Sequence, residues 1–114
     1  MKSVDIELFG QRLILSQRYV KDIIDVSLFD KEKKEAEDKI FINAFILHSA
    51  LKRNLEKYES ISWYEFERKK EKKKIEFLIS VANIMAKLSF DDLAEWCEKI
   101  YELDFGKAND KKKT

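Results

Sequence analysis

Ile40-Phe41-Ile42-Asn43-Ala44-Phe45-Ile46-Leu47 decides the fold. Seven of these eight residues are apolar and none is charged. The run lies inside a longer stretch, Glu35 to Tyr58, that contains neither Pro nor Gly. A helix over that stretch is about 36 Å long at roughly 1.5 Å per residue. Apolar on nearly every side in its middle, it belongs at the centre of a helical core. Leu51, Leu55 and Tyr58 then narrow the stripe as the helix moves outwards.

The rest of the composition agrees with a helical reading. The 114 residues include no Pro and two Gly, whereas a β-rich fold needs turn residues at regular intervals. Apolar residues make up 45%, with eight Phe, four Tyr and two Trp to fill a core. Charged residues reach 39%, above the usual quarter or so. Their signs nearly cancel, 23 against 22, so bulk charge steers the chain towards neither nucleic acid nor membrane. The eight-residue apolar run falls well short of the roughly 20 needed to span a bilayer. The start, Met1-Lys2-Ser3-Val4-Asp5, carries no apolar signal core. A cytoplasmic location with no membrane partner is therefore expected.

Working outwards, Val4-Asp5-Ile6-Glu7-Leu8 alternates apolar and charged, the period of a half-buried strand. Strands over 4–9 and 12–15 then enclose Gly10-Gln11, with Gly at the first central position of a type II′ loop. Such a hairpin is marginal alone and must pack on helices or join a partner's sheet. Ser16 is placed to cap a first helix whose stripe is Tyr19, Val20, Ile23, Ile24 and Ser27. Ser62-Trp63-Tyr64-Glu65 reads as a capping box, with Ile61 and Phe66 as its staple. Nothing then breaks the helix until Leu88, giving about 39 Å of it. Ile75, Phe77, Leu78, Val81, Ala82, Met85 and Leu88 form its buried face. Ser89-Phe90-Asp91-Asp92 opens a last helix, with inner residues Leu93, Trp96, Cys97, Ile100 and Tyr101 and a stop at Gly106. The expected fold is mainly α: an N-terminal β-hairpin packed on a bundle of about four helices. Residues 1–106 form one domain and 107–114 a disordered basic tail.

Few residues suggest chemistry. His48 and Cys97 are each the only one of their kind, so no internal disulfide and no Cys/His zinc site can form. His48 lies on an apolar helix without a local nucleophile motif, and Cys97 sits among core positions. There is no phosphate loop, HExxH or calcium loop. No catalytic residue, metal or cofactor is expected.

Two surfaces remain. Glu67 to Lys74 holds no apolar residue, so an unbroken helix leaves Trp63, Tyr64 and Phe66 stranded about 15 Å from Ile75 to Phe77. Those three aromatics would form an exposed interface, for a client protein or for a second copy in a homo-oligomer, unless the second helix runs alongside and buries both ends within one monomer. The alternative is nucleic acid. Arg68, Lys69, Lys70, Lys72, Lys73 and Lys74 set six cations against one anion, Glu71, beside aromatics able to stack on bases. The glutamates favour an ordinary solvated helix, since Glu67 and Glu71 can pair with lysines three or four positions on.

One family resemblance bears on function. The opening, Val4-Asp5-Ile6-Glu7-Leu8-Phe9-Gly10-Gln11-Arg12-Leu13-Ile14-Leu15-Ser16, leads straight into helices. The end is Leu88-Ser89-Phe90-Asp91-Asp92-Leu93-Ala94-Glu95-Trp96-Cys97-Glu98-Lys99-Ile100-Tyr101-Glu102-Leu103. In layout this resembles the small tail-assembly chaperones of tailed bacteriophages and prophages. The resemblance implies a helix-rich oligomer that holds a tape-measure or tail-tube protein before assembly. It carries no functional residue across.

Overall fold

A computed structural model describes residues 2–32 and 36–106. The expected basic tail, 107–114, lies outside the described residues. The chain opens with strands β1 (Ser3–Leu8) and β2 (Gln11–Ser16), paired antiparallel from Ser3↔Ser16 to Leu8↔Gln11. The loop is Phe9-Gly10, one residue earlier than the expected Gly10-Gln11. Both φ values are positive, 53° and 73°, which makes the turn type I′ rather than II′. This register sets Glu7 opposite Arg12, an attractive cross-strand pair, and lets Phe9 pack partly on the core.

Helices α1 (Val20–Glu32) and α2 (Ala36–Leu51) follow, and α2 continues as a 3₁₀ segment, Lys52–Tyr58. Then come α3 (Phe66–Leu78), α4 (Val81–Lys87) and α5 (Phe90–Phe105). As its apolar run demands, α2 is central, packing against α1, α4, α5 and β2. One core cluster joins Leu8, Leu13 and Leu15 of the hairpin to Ile46, Leu47 and Leu51 of α2, and on to Ile84, Leu93 and Ile100.

Three expectations are corrected. Ser16 caps nothing; it is the buried end of β2. The stripe of α1 is rotated, with Val20 71% exposed and Ile24 and Leu28 also in solvent. Asp22, Val26 and Phe29 turn inwards instead. Polar anchors set that rotation: Arg18 is held by Asp104, Asp22 pairs with Lys52 at 3.0 Å, and Tyr19 lies under the Arg53 guanidinium.

The long third helix is in fact two. Ser80 Oγ accepts from Asn83 N–H and donates to Phe77 O, so one hydroxyl caps α4 while closing α3. Asn83 Nδ2 donates to Leu78 O at 2.9 Å. The bend brings Ile79 and Ile84 fully into the core and leaves Phe77, Ala82 and Met85 exposed, against the expected face. The last helix keeps its expected start and stop. Ser89 Oγ accepts from Asp92 N–H at 3.1 Å, and Gly106 ends the helix with φ 81°.

Candidate functional site

The segment between the 3₁₀ turn and α3 is held by charge and hydrogen bonds rather than by burial. The capping box survives only in part, and α3 starts at Phe66 with Glu65 at its cap. Glu65 Oε2 accepts from Ser62 N–H at 3.2 Å and from Arg68 Nη1 at 3.4 Å. Arg68 also donates through Nη2 to Lys57 O. Beneath them the Tyr58 ring is buried under Arg68 and Lys57, and its hydroxyl donates to Glu71 at 3.3 Å.

Glu65 and Arg68 therefore fix a tight turn whose tip is Trp63-Tyr64. Trp63 is 77% exposed, and Tyr64 and Phe66 are each 62% exposed. The Trp63 and Tyr64 rings meet edge-on with centroids 5.8 Å apart. Lys69 braces the tip, donating to Trp63 O at 3.1 Å while lying over the Phe66 ring. The three aromatics predicted from sequence are thus together and in solvent. The reason differs from the expected one. They are held out of the core by a hydrogen-bonded turn, not stranded at the far end of a straight helix, and Phe66 does not staple.

The basic run lies along α3 and is divided in its roles. Arg68 is engaged by Glu65 and Lys57 O, Lys70 approaches Glu67 at 3.8 Å, and Lys72 approaches Glu76 at 3.8 Å. Such solvent-exposed pairs are worth about 1 kcal/mol or less and are readily exchanged for another anion. Among the described residues, Lys69, Lys73 and Lys74 make no ion pair. Phe66, Lys69, Lys70, Lys73 and Phe77 share the solvent face of α3, with an exposed ring at each end.

His48 and Cys97 have structural surroundings. His48 Nδ1 lies 2.7 Å from Ile79 O; a carbonyl only accepts, so this nitrogen carries the proton and satisfies the end of α3. Cys97 Sγ donates to Asn43 O at 3.5 Å, and burial pushes its thiol up to about 11, against a smaller opposing pull from Arg18. Among the described residues no three His, Cys, Asp or Glu side chains converge as metal ligands. Nor is any described helix long and apolar enough to cross a membrane.

A pH effect follows from Cys97. Its thiol is neutral in the folded chain and ionises near 9.0 when unfolded. The associated stability is complete below about pH 9 and is lost as pH rises towards 11, on the order of 2 kcal/mol. Denaturant midpoints measured between those pH values should fall, and the fall should be shallower in Cys97→Ala. A residual slope is expected from Tyr101, whose pKa burial also raises. An identical slope in the variant would remove Cys97 as the cause.

Two features had no local signal in the sequence. An apolar cleft of about 210 Å³ opens between α1 and α2, lined by Val26, Phe29, Phe41, Ile42 and Phe45, with Asp25 at its margin. Asn54, from 40 residues away, bonds both outward backbone groups of Ile14 at one edge of the hairpin. Comparison with family models, curated proteins and solved structures finds no match for the chain.

Proposed function

We propose that the chain is a non-enzymatic binding protein of chaperone or scaffold type, associating with itself or with a client protein through Trp63, Tyr64 and Phe66. The observation that carries this reading is the exposure of three neighbouring aromatic rings, two at the tip of a hydrogen-bonded turn and one at the start of α3. Large aromatics cost solvation free energy when left in water, and contiguous exposed ones usually mark an interface. Trp and Tyr are also the residues in which interface energy concentrates. Phage tail assembly is the setting that the resemblance in layout implies.

The test combines light scattering with Trp63→Ala/Phe66→Ala. The full chain should form particles of more than one copy, and the double variant should shift towards monomer. Its stability should change by no more than about 0.5 kcal/mol, since neither side chain is buried. A monomeric full chain that gains no partner through this surface, or a double variant that only unfolds more easily, would sink the reading.

The second reading, a nucleic-acid adaptor, is supported by Lys69 and Lys73, which make no ion pair among the described residues, lying between exposed Phe66 and Phe77. Binding of that kind should weaken steeply with salt as counterion release loses its advantage. Titration with single-stranded and duplex oligonucleotides at low salt decides it: no binding there removes the alternative.

A further inference from the structure

The two edges of the hairpin differ. Gln17 N–H donates to Lys2 O at 3.0 Å, which fixes Lys2–Gln17 as a hydrogen-bonded pair. By alternation, Val4–Leu15, Ile6–Leu13 and Leu8–Gln11 are the others. The backbone groups of Ile14 therefore point away from β1, and Asn54 meets both of them. Its Oδ1 accepts from Ile14 N–H at 2.9 Å, and its Nδ2 donates to Ile14 O at 2.8 Å, as a neighbouring strand would. The corresponding groups of Ser3, Asp5 and Glu7 point outwards from β1. Among the described residues they have no hydrogen-bond partner. Neither a proline nor a bulge blunts this edge.

Open space flanks it on both faces. On the inner side a cleft of about 620 Å³, reached at its edge by Lys2 and Asp5, runs between Val4 and Ile6 of β1 and Lys99, Glu102 and Leu103 of α5. On the outer side Asp5 and Glu7 border a second hollow, which Arg12, opposite Glu7, also lines, so Asp5 is the carboxylate without a cation across from it. A strand laid along β1 would send alternate side chains into these two spaces. We infer that the free edge of β1 receives an added antiparallel strand from a partner protein, an extended segment alternating basic with aliphatic residues. The basic side chains face Asp5 and Glu7, and the aliphatic ones cover Val4 and Ile6.

A second copy is the poorer occupant, because the self-paired register free of opposed carboxylates, Ser3 against Asp5, leaves the backbone groups of Glu7 without a partner among the described residues. Among the described residues of β1, Ser3, Asp5 and Glu7 offer backbone groups to an antiparallel partner. The self-paired registers that engage both carboxylates set Asp5 against Asp5 with Ser3 against Glu7, or Asp5 against Glu7. Like charges directly opposite destabilise a ladder. The same carboxylates attract lysine or arginine on a foreign strand, so the charge that rejects self-pairing also selects the partner. This docking lies on the hairpin, apart from the aromatic turn, and does not depend on the function proposed for that turn.

The probe is a labelled peptide of four Lys-Val repeats, with an otherwise identical peptide N-methylated at the lysine backbone nitrogens, the ones that would face Ser3, Asp5 and Glu7. Fluorescence anisotropy with the full chain should show binding of the first and not the second, because methylation removes strand hydrogen bonds while keeping charge. Hydrogen exchange at Ser3, Asp5 and Glu7 should be fast in the free chain and slowed by the peptide. Asp5→Asn/Glu7→Gln, a charge change on an exposed face, should weaken binding at least about tenfold. Equal binding of the methylated peptide, protection elsewhere but not at these amides, an unaffected double variant, or no binding at millimolar peptide would each overturn the proposal.

Discussion

Replacing Asp104 by alanine is expected to destabilise the fold by about 3–5 kcal/mol, the cost of leaving a buried charge without its partner. Asp104 uses both carboxylate oxygens on one residue. Oδ2 accepts from Arg18 Nε at 2.7 Å, and Oδ1 accepts from Arg18 backbone N–H at 2.9 Å. The two side chains are 2% and 1% exposed, so water cannot replace either bond. The guanidinium also lies over the Tyr101 ring, and its charge is well placed at the C-terminal end of α5, whose last turn carries no basic residue. Alongside, Gln17 Nε2 donates to Leu103 O, satisfying one of the carbonyls that a helix end leaves open. The pair therefore ties the exit of β2 to the end of α5, two segments 86 positions apart in the chain. Urea denaturation should place Asp104→Ala far below the parent, with a Tm lower by more than about 10 °C. Arg18→Met/Asp104→Leu should recover much of this, keeping a deficit of roughly 1–3 kcal/mol from the Arg18 N–H left without an acceptor. A single variant within about 1 kcal/mol of the parent would show that the pair is not a buried lock.

What was legible in the sequence is what depends on neighbours in the chain. The hairpin, the central position of α2, the Ser89 cap and the Gly106 stop all rest on residues within a turn or two of each other. Local pattern misleads where distant polar residues decide. Ser80 and Asn83 end α3 together with His48, which arrives from 31 positions away, and an unbroken periodic pattern gave no warning of the bend. The rotation of α1 is set by Arg18 and Asp22 through Asp104 and Lys52, so its apolar stripe alone pointed to the wrong face. The aromatic turn was legible as a surface, because Trp63, Tyr64 and Phe66 precede a run with no apolar residue to bury them. Its cause was not, since it depends on how Glu65 and Arg68 fold back upon Ser62 and Lys57. The open edge of β1 was hidden for the same reason: which strand stays uncovered depends on where Asn54 lands.

Leu15 tests how the hairpin is held, and with it the geometry of both its edges. A two-stranded hairpin is marginal in water, so β1 and β2 persist only by burying one face on the bundle. That face is Leu8, Leu13 and Leu15, and Leu15 is completely enclosed. Ile14, one residue earlier, points the other way and is 44% exposed. Leu15→Ala should therefore cost about 2–5 kcal/mol, combining lost burial with an imperfectly closed cavity. Ile14→Ala should cost well under half as much, because its side chain is largely in water and Asn54 binds only the backbone there. The ratio matters more than either value. Sliding β2 by one residue would exchange the two faces, so a fold with the opposite register would invert the result. Chemical denaturation of the two variants supplies the comparison, and hydrogen exchange locates the damage. In Leu15→Ala the amides of Val4 and Ile6, which pair with β2, should lose protection before those of α2 and α5 do. Equal costs for the two variants, or uniform loss of protection across the chain, would mean that the hairpin is not a separately docked element.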